Sequence, residues 1–183
     1  PRARRSMSAR APPKCPPPGD HALLPRVKEA LGPSLLSHGV TPEGHLCVVV
    51  PPDKIREVAQ AVKNMGFDHV LSLSAVDYIA EKKFLLVYVF ASYLSPELKN
   101  QLLHVRAEIP RDSPKVASIA DIYPSADYEE RECHEMFGIW FEGNPHMGKR
   151  FLLDPDCCID EKTGKPLYPL RKDFKVPDWG LMG

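Results

Sequence analysis

Residues 128–153, YEERECHEMFGIWFEGNPHMGKRFLL, hold the densest set of groups in this 183-residue chain that could do chemistry. Glu129, Glu130, Arg131, Glu132, Cys133, His134 and Glu135 stand in one unbroken run. A zinc-protease helix needs His-Glu-x-x-His, and His134-Glu135 is followed by Met136-Phe137-Gly138, so the second histidine ligand is missing. A di-iron helix needs Glu-x-x-His, and the residue three before His134 is Arg131. Paired carboxylates at these spacings are compatible with glycoside hydrolysis, yet acids on one helix ordinarily form a solvated face. Cys133, His134, His146, Cys157 and Cys158 include soft ligands, but their spacing matches no four-ligand zinc or iron–sulfur site. Packing plus a solvated or partner-facing charge cluster is the reading this stretch favours. A stand-alone metal-dependent enzyme using the Cys/His/Glu set is the alternative.

These groups must be positioned by a short helix that runs into a glycine-directed extended segment. Ser125 is placed to cap it, Asp127 suits its first turn, and Gly138 suits the left-handed residue that ends it. Three- and four-residue spacing gathers Tyr128, Arg131, Glu132 and Glu135 on one side, with Ala126, Cys133, Met136 and Phe137 on another. Arg131 offers a planar fork of donors among acids.

Upstream, Leu23–Leu31 reads as a helix stopped by Gly32-Pro33. The β-branched run His45–Val50 reads as a strand. Asp53 then caps a helix whose apolar stripe is Ile55, Val58, Ala59, Val62 and Met65. Val70–Tyr78 and Phe84–Ser92 read as strands joined by a hairpin at 79–83, the second of them central. Leu102–Ile109 alternates as a further strand, and Ser118–Tyr123 as a helical turn. The sum is an α+β fold: a mixed, mainly antiparallel sheet with helices packed on one face, followed by an extended C-terminal tail. Residues 1–19 form a basic, proline-rich tail expected to be disordered, 20–127 the scaffold domain, 128–153 the signature helix and glycine-rich segment, and 154–183 the tail.

Composition narrows the function classes. Lys+Arg and Asp+Glu are 24 each, so net charge gives no argument for nucleic acid. Five cysteines, an odd number without a Cys-x-x-Cys pair, argue against a disulfide framework and for a reducing compartment. The apolar run Phe84–Leu94 is too short to cross a bilayer. Trp179 and Leu181 are large apolar groups in a proline-interrupted tail, which should therefore lie along another surface.

The run Glu130-Arg131-Glu132-Cys133-His134-Glu135-Met136-Phe137-Gly138-Ile139 resembles the Glu-Arg-Glu-x-x-Asp/Glu-x-Phe-Gly-Ile signature of the C-subunit family of proton-pumping NADH:quinone oxidoreductase, respiratory complex I. Related subunits occur in membrane-bound hydrogenases. Tyr168-Pro169-Leu170-Arg171-Lys172-Asp173-Phe174 resembles the family's closing Pro-Leu-Arg-Lys-Asp-Phe, and Ser118–Asp127 resembles its approach to the signature. Gly143-Asn144-Pro145 departs from the usual Gly-His-Pro, and Tyr128 stands where tryptophan is common. The resemblance implies a non-catalytic subunit of the hydrophilic arm, peripheral on the cytoplasmic face of the cell membrane or its organelle equivalent. It would touch the membrane only through its complex and bind no nucleic acid. Its expected partners are the large catalytic subunit and the iron–sulfur subunit. This chain would carry no cofactor, with iron–sulfur clusters, nickel–iron or quinone in its partners. The resemblance places Glu130, Arg131, Glu132, Glu135, Phe137, Gly138, Arg171, Lys172, Asp173 and Trp179 at the subunit interface.

Overall fold

The computed structural model describes residues 15–155, 157–160 and 163–175. Trp179, the rest of the chain's end and residues 1–14 of the basic tail lie outside the described residues.

Five strands form one sheet: β1 (Ser37–Val40), β2 (Leu46–Val49), β3 (His69–Tyr78), β4 (Lys83–Ala91) and β5 (Leu103–Pro110). Their order is β1-β2-β5-β4-β3, with β2 and β5 parallel and every other pair antiparallel. The expected α+β architecture with a mainly antiparallel sheet is what forms. β5, not β4, holds the middle position, although β4 is paired on both sides. The β1 strand is absent from the sequence reading. Its SHGV carries a single β-branched residue, and antiparallel pairing with β2 supplies what propensity does not.

Alternation along β4 builds the core. Phe84, Leu86, Tyr88 and Phe90 are buried on the face that also buries Val105, Ala107 and Ile109 of β5. Each such side chain contributes about 1.5–3 kcal/mol when withdrawn from water. Against this face lie helices α1 (Leu24–Leu31) and α2 (Ile55–Asn64). The predicted stripe of α2 is the buried one: Ile55, Val58, Ala59 and Val62. Asp53 does not cap that helix. It sits in a 3-10 turn, Pro52–Lys54, because Pro51-Pro52 fixes the entering chain before the α-helical ladder begins. In β3 the expected strict alternation is broken by a bulge between Val70 and Ser72, so Val70 and Leu73 are both buried while Leu71 is exposed.

Residues 15–17, assigned by sequence to the disordered tail, run beside β1. The Val40 amide donates to the Pro17 carbonyl at 3.2 Å. A Cβ on Gly39 would stand 1.8 Å from the Pro16 carbonyl oxygen. Gly39→Ala is therefore expected to expel this segment from the edge and lower stability by about 1–3 kcal/mol. Limited proteolysis between residues 14 and 20 checks it, and unchanged protection there would contradict the contact.

The signature helix α3 (Ala126–Phe137) adds to the same core: the Phe137 ring lies 5.9 Å from that of Phe84, and Ala126 and Cys133 are buried with it. The helix packs on β3, the edge of the sheet. Two of its side chains, and that of Ser125 just before it, meet that strand's backbone. Ser125 Oγ accepts from the Val70 amide at 3.2 Å, Glu129 Oε2 accepts from the Leu73 amide at 3.0 Å, and Cys133 Sγ donates to the Leu73 carbonyl at 3.5 Å. An unpaired strand edge invites pairing with another chain, and α3 covers this one. Ser125, expected as the N-cap, makes no side-chain cap because its hydroxyl is spent on β3. A small parallel pair, β6 (Lys115–Ala117) with β7 (Trp140–Glu142), brackets α3 on either side in the chain.

Candidate functional site

Ala126, Glu130, Cys133 and Phe137 follow one another at helical spacing and are all buried. Glu130 therefore occupies a core position of the stripe and is wholly inaccessible. Its carboxylate accepts from Ser118 Oγ at 2.6 Å, the Ile119 amide at 2.8 Å and Asn144 Nδ2 at 2.9 Å. Burial holds its proton affinity above the ordinary carboxylate range, and these three bonds only partly offset that cost. Ser118 follows β6 and Asn144 follows β7, so one acid ties the small sheet to the helix. Asn144, the departure from the usual histidine, is a working member of this network: its Oδ1 also accepts from the His146 amide at 2.8 Å.

Glu135 is buried too, on the side predicted to carry solvated charge. Its oxygens accept from three consecutive amides, Phe151 at 2.8 Å, Leu152 at 2.6 Å and Leu153 at 3.2 Å. Carboxylates satisfied by backbone amides order chain; they fix residues 151–153 against α3.

The helix ends at Gly138, whose φ of +73° is the left-handed conformation expected. A second constraint was invisible in the sequence. A Cβ there would lie 2.5 Å from the Tyr168 ring and 2.8 Å from Arg171 Nη2. The closing motif docks on this spot. Leu170 donates its amide to the Met136 carbonyl at 3.1 Å, and Arg171 Nε donates to the Phe137 carbonyl at 2.6 Å. Carbonyls that a helix C-terminus leaves unpaired are thus satisfied, with a cation at the negative end of the dipole. The Arg171 guanidinium lies 4.5 Å from the centre of the Tyr168 ring and 5.4 Å from that of Phe84. Next to it, the Lys172 amide donates to Asp77 at 2.8 Å, and Arg111 bridges Asp77 at 2.9 Å and Asp173 at 2.7 Å. The two motifs singled out in the sequence are halves of one intramolecular joint, anchored on the buried Asp77 of β3.

Other predicted groups face outward. Arg131 is half-buried between two rings, 4.2 Å from the centre of Phe151 and 5.8 Å from that of Tyr128. Its Nε has no hydrogen-bond partner. Tyr128 is 58% exposed and Leu152 53% exposed, and Glu132 is exposed beside them. The residues needed by the metal-enzyme alternative are dispersed. Cys133 is turned to β3, His134 Nδ1 lies 3.0 Å from the Ile139 carbonyl, and His146 pairs with Asp127 at 3.0 Å. Among the described residues, no three His, Cys, Asp or Glu side chains are grouped to hold a metal.

The profile of the respiratory-chain NADH dehydrogenase 30 Kd subunit family matches residues 48–179, a span that takes in α2, β3 to β5, α3 and both motifs. The chain belongs to that family. Among the relatives of this 30 Kd-family chain is the C subunit of the F(420)H(2) dehydrogenase of Methanosarcina mazei, 37% identical over 127 residues, 69% of this chain and 73% of the relative. The C subunit of the NADH-quinone oxidoreductase of Chloroherpeton thalassium is 37% identical over 116 residues, 63% of this chain. The match spans 43% of that relative. Among solved structures, a chain of the membrane-bound sulfane sulfur reductase, an archaeal respiratory membrane complex, superposes with a TM-score of 0.68 at 33% identity, covering 83% of this chain and 85% of that one. A trypsin-resistant fragment of Nqo5 superposes with a TM-score of 0.60 at 28% identity, covering 67% of this chain and 97% of the fragment. As a 30 Kd-family member the chain is a subunit of a complex I-like or membrane-bound respiratory complex. Among its described residues no helix is long and apolar enough to cross a membrane.

Proposed function

We propose that this chain is a non-catalytic structural subunit that docks onto the large catalytic subunit of its complex, beside the iron–sulfur subunit, peripherally at the cytoplasmic face of the membrane. Iron–sulfur, nickel–iron or quinone chemistry would belong to those partners. The observation that carries this reading is how the signature uses its acids. Glu130 and Glu135 are spent on donors of the chain itself, which ties residues 151–153 and the small sheet to α3. What α3 then offers outward is Tyr128, Arg131 and Glu132, with Leu152 alongside.

That composition suits a protein interface. Arginine and aromatic side chains dominate interface hot spots, and Arg131 is already stacked, so little entropy remains to be lost on docking. Of the residues the resemblance placed at the interface, Arg131 and Glu132 are the anchors proposed here. Arg171, Lys172 and Asp173 act through the joint that shapes the surface.

Arg131→Ala is expected to weaken co-purification of the large subunit by about tenfold or more, with thermal unfolding of the isolated chain changed little. Wild-type recovery of the complex by this variant would remove the proposed anchor. Recovery of the wild-type chain from its source with no large subunit would overturn the docking role.

A further inference from the structure

Two thiols outside this joint are held in an arrangement that adjacent residues do not ordinarily adopt. Neighbouring side chains point to opposite faces of a strand and diverge around a helix. Yet Cys157 Sγ and Cys158 Sγ are 3.0 Å apart, and both cysteines are free. The backbone makes this contact possible. Cys158 has a φ of +56°, in the left-handed region that non-glycine residues seldom occupy.

The turn is held from both sides. The Cys157 amide donates to the Asp154 carbonyl at 2.9 Å, and Arg150 Nη2 donates to the Cys157 carbonyl at 3.3 Å. The Cys158 carbonyl accepts from the Leu167 amide at 2.7 Å, and Ile159 bridges Pro166 in a small hairpin closed by the Asp160 amide on the Lys165 carbonyl at 2.9 Å. Strain of this kind persists only where surrounding structure over-determines it. The two sulfurs are unequally placed: Cys157 is half-buried, whereas Cys158 is 5% exposed behind it. Arg150, which donates to the Cys157 carbonyl, places a positive charge beside the pair.

We propose that Cys157 and Cys158 are a vicinal dithiol that serves as a reversible modification site, taking a small anionic disulfide as its two-electron oxidant. The Cys157 thiolate attacks one sulfur of the oxidant, forms a mixed disulfide and releases one thiolate. Cys158 then gives up its proton and attacks Cys157 Sγ, which closes the intrachain disulfide and expels the second thiolate. The two protons end on the two released thiols, so both cysteines are oxidised and one disulfide is reduced to two thiols. Burial and the neighbouring sulfur push the Cys158 thiol up to about 11, which suits Cys158 as the resolving partner rather than the first nucleophile. Consecutive Cα atoms are about 3.8 Å apart, below the usual range for disulfide-linked residues. The closed ring is therefore strained and returns readily to the dithiol.

The test uses the intact chain carrying Cys15→Ser, which removes the thiol beside Cys47. The reduced protein is treated with oxidised glutathione, quenched with N-ethylmaleimide and mapped by peptide mass. The proposal expects the peptide containing residues 157–158 to be two hydrogens lighter, unalkylated, and restored by dithiothreitol. Cys158→Ser should instead retain a glutathione adduct on Cys157. A second probe keeps the test independent of that variant's folding. Phenylarsine oxide, which needs two adjacent thiols, should protect both residues from alkylation at one arsenic per chain. Alkylation of both cysteines after oxidant and after the arsenical would overturn the proposal, as would a Cys157 bond to any other cysteine.

Discussion

Glu130→Ala is expected to cost the chain about 3 kcal/mol of stability, a large share of the 5–15 kcal/mol typical of a domain. The carboxylate leaves three donors behind in a wholly buried place: Ser118 Oγ, the Ile119 amide and Asn144 Nδ2. Ser118 and Asn144 are buried and already hold the Ala120 and His146 amides, so neither is free to turn elsewhere, and a buried amide without an acceptor carries its full desolvation cost. Urea unfolding of wild type and variant checks the size, and a loss of less than about 1 kcal/mol would mean the network is ornamental. Glu130→Gln separates shape from charge. Burial raises the carboxyl's proton affinity in the folded chain above that in the unfolded chain. The folded state therefore binds this proton more readily, and the ionised form is the costly one. As pH falls from neutrality toward the ordinary carboxylate range, wild type should gain stability relative to Glu130→Gln; as pH rises it should lose it. A difference between the two that does not change with pH would contradict burial as the dominant influence on this group.

Gly138→Val is the second large effect. The left-handed conformation alone costs a side chain about 1–2 kcal/mol. The new Cβ also meets the Tyr168 ring at 2.5 Å and Arg171 Nη2 at 2.8 Å, so the closing motif must leave the end of α3. That breaks the bonds from Leu170 to Met136 and from Arg171 to Phe137. Together these give an expected loss of about 3–4 kcal/mol, with residues 163–175 becoming sensitive to protease. Gly164→Ala is the control. Gly164 has a φ of +65°, close to that of Gly138, but nothing within 4 Å of its Cβ position, so that variant carries the positive-φ strain alone. Equal losses for an alanine at the two positions would show that the close approach of Tyr168 does not matter.

The sequence made α3 legible at both ends because its signals are local: a charged first turn, a helical apolar stripe and a glycine stop. The same holds for α2 and for β2 through β5, whose periodicities survive in the structure except at the bulge in β3. The burial of Glu130 and Glu135 was not legible in that way. An acidic run reads as a solvated face, and the amides that satisfy these acids belong to Ile119 and to residues 151–153, partners that no short-range pattern announces. One signal was available for Glu130: it interrupts the stripe Ala126, Cys133, Phe137 at a core position, where an acid must find donors. The joint between Gly138 and the closing motif joins residues about thirty positions apart through backbone carbonyls. Glycine in the signature revealed the left-handed turn, but not the tyrosine ring lying on it. β1 and the 3-10 turn before α2 were missed for a similar reason, since pairing and proline geometry overrode weak local preference.

Hydroxyl-radical footprinting of the chain alone and within its purified complex tests the central claim most directly. The internal joint should present Tyr128, Arg131 and Leu152 as a preformed surface for a larger subunit. The account predicts strong labelling of Tyr128 and Leu152 in the free chain and their protection in the complex. Equal labelling of both side chains in the two states would contradict it.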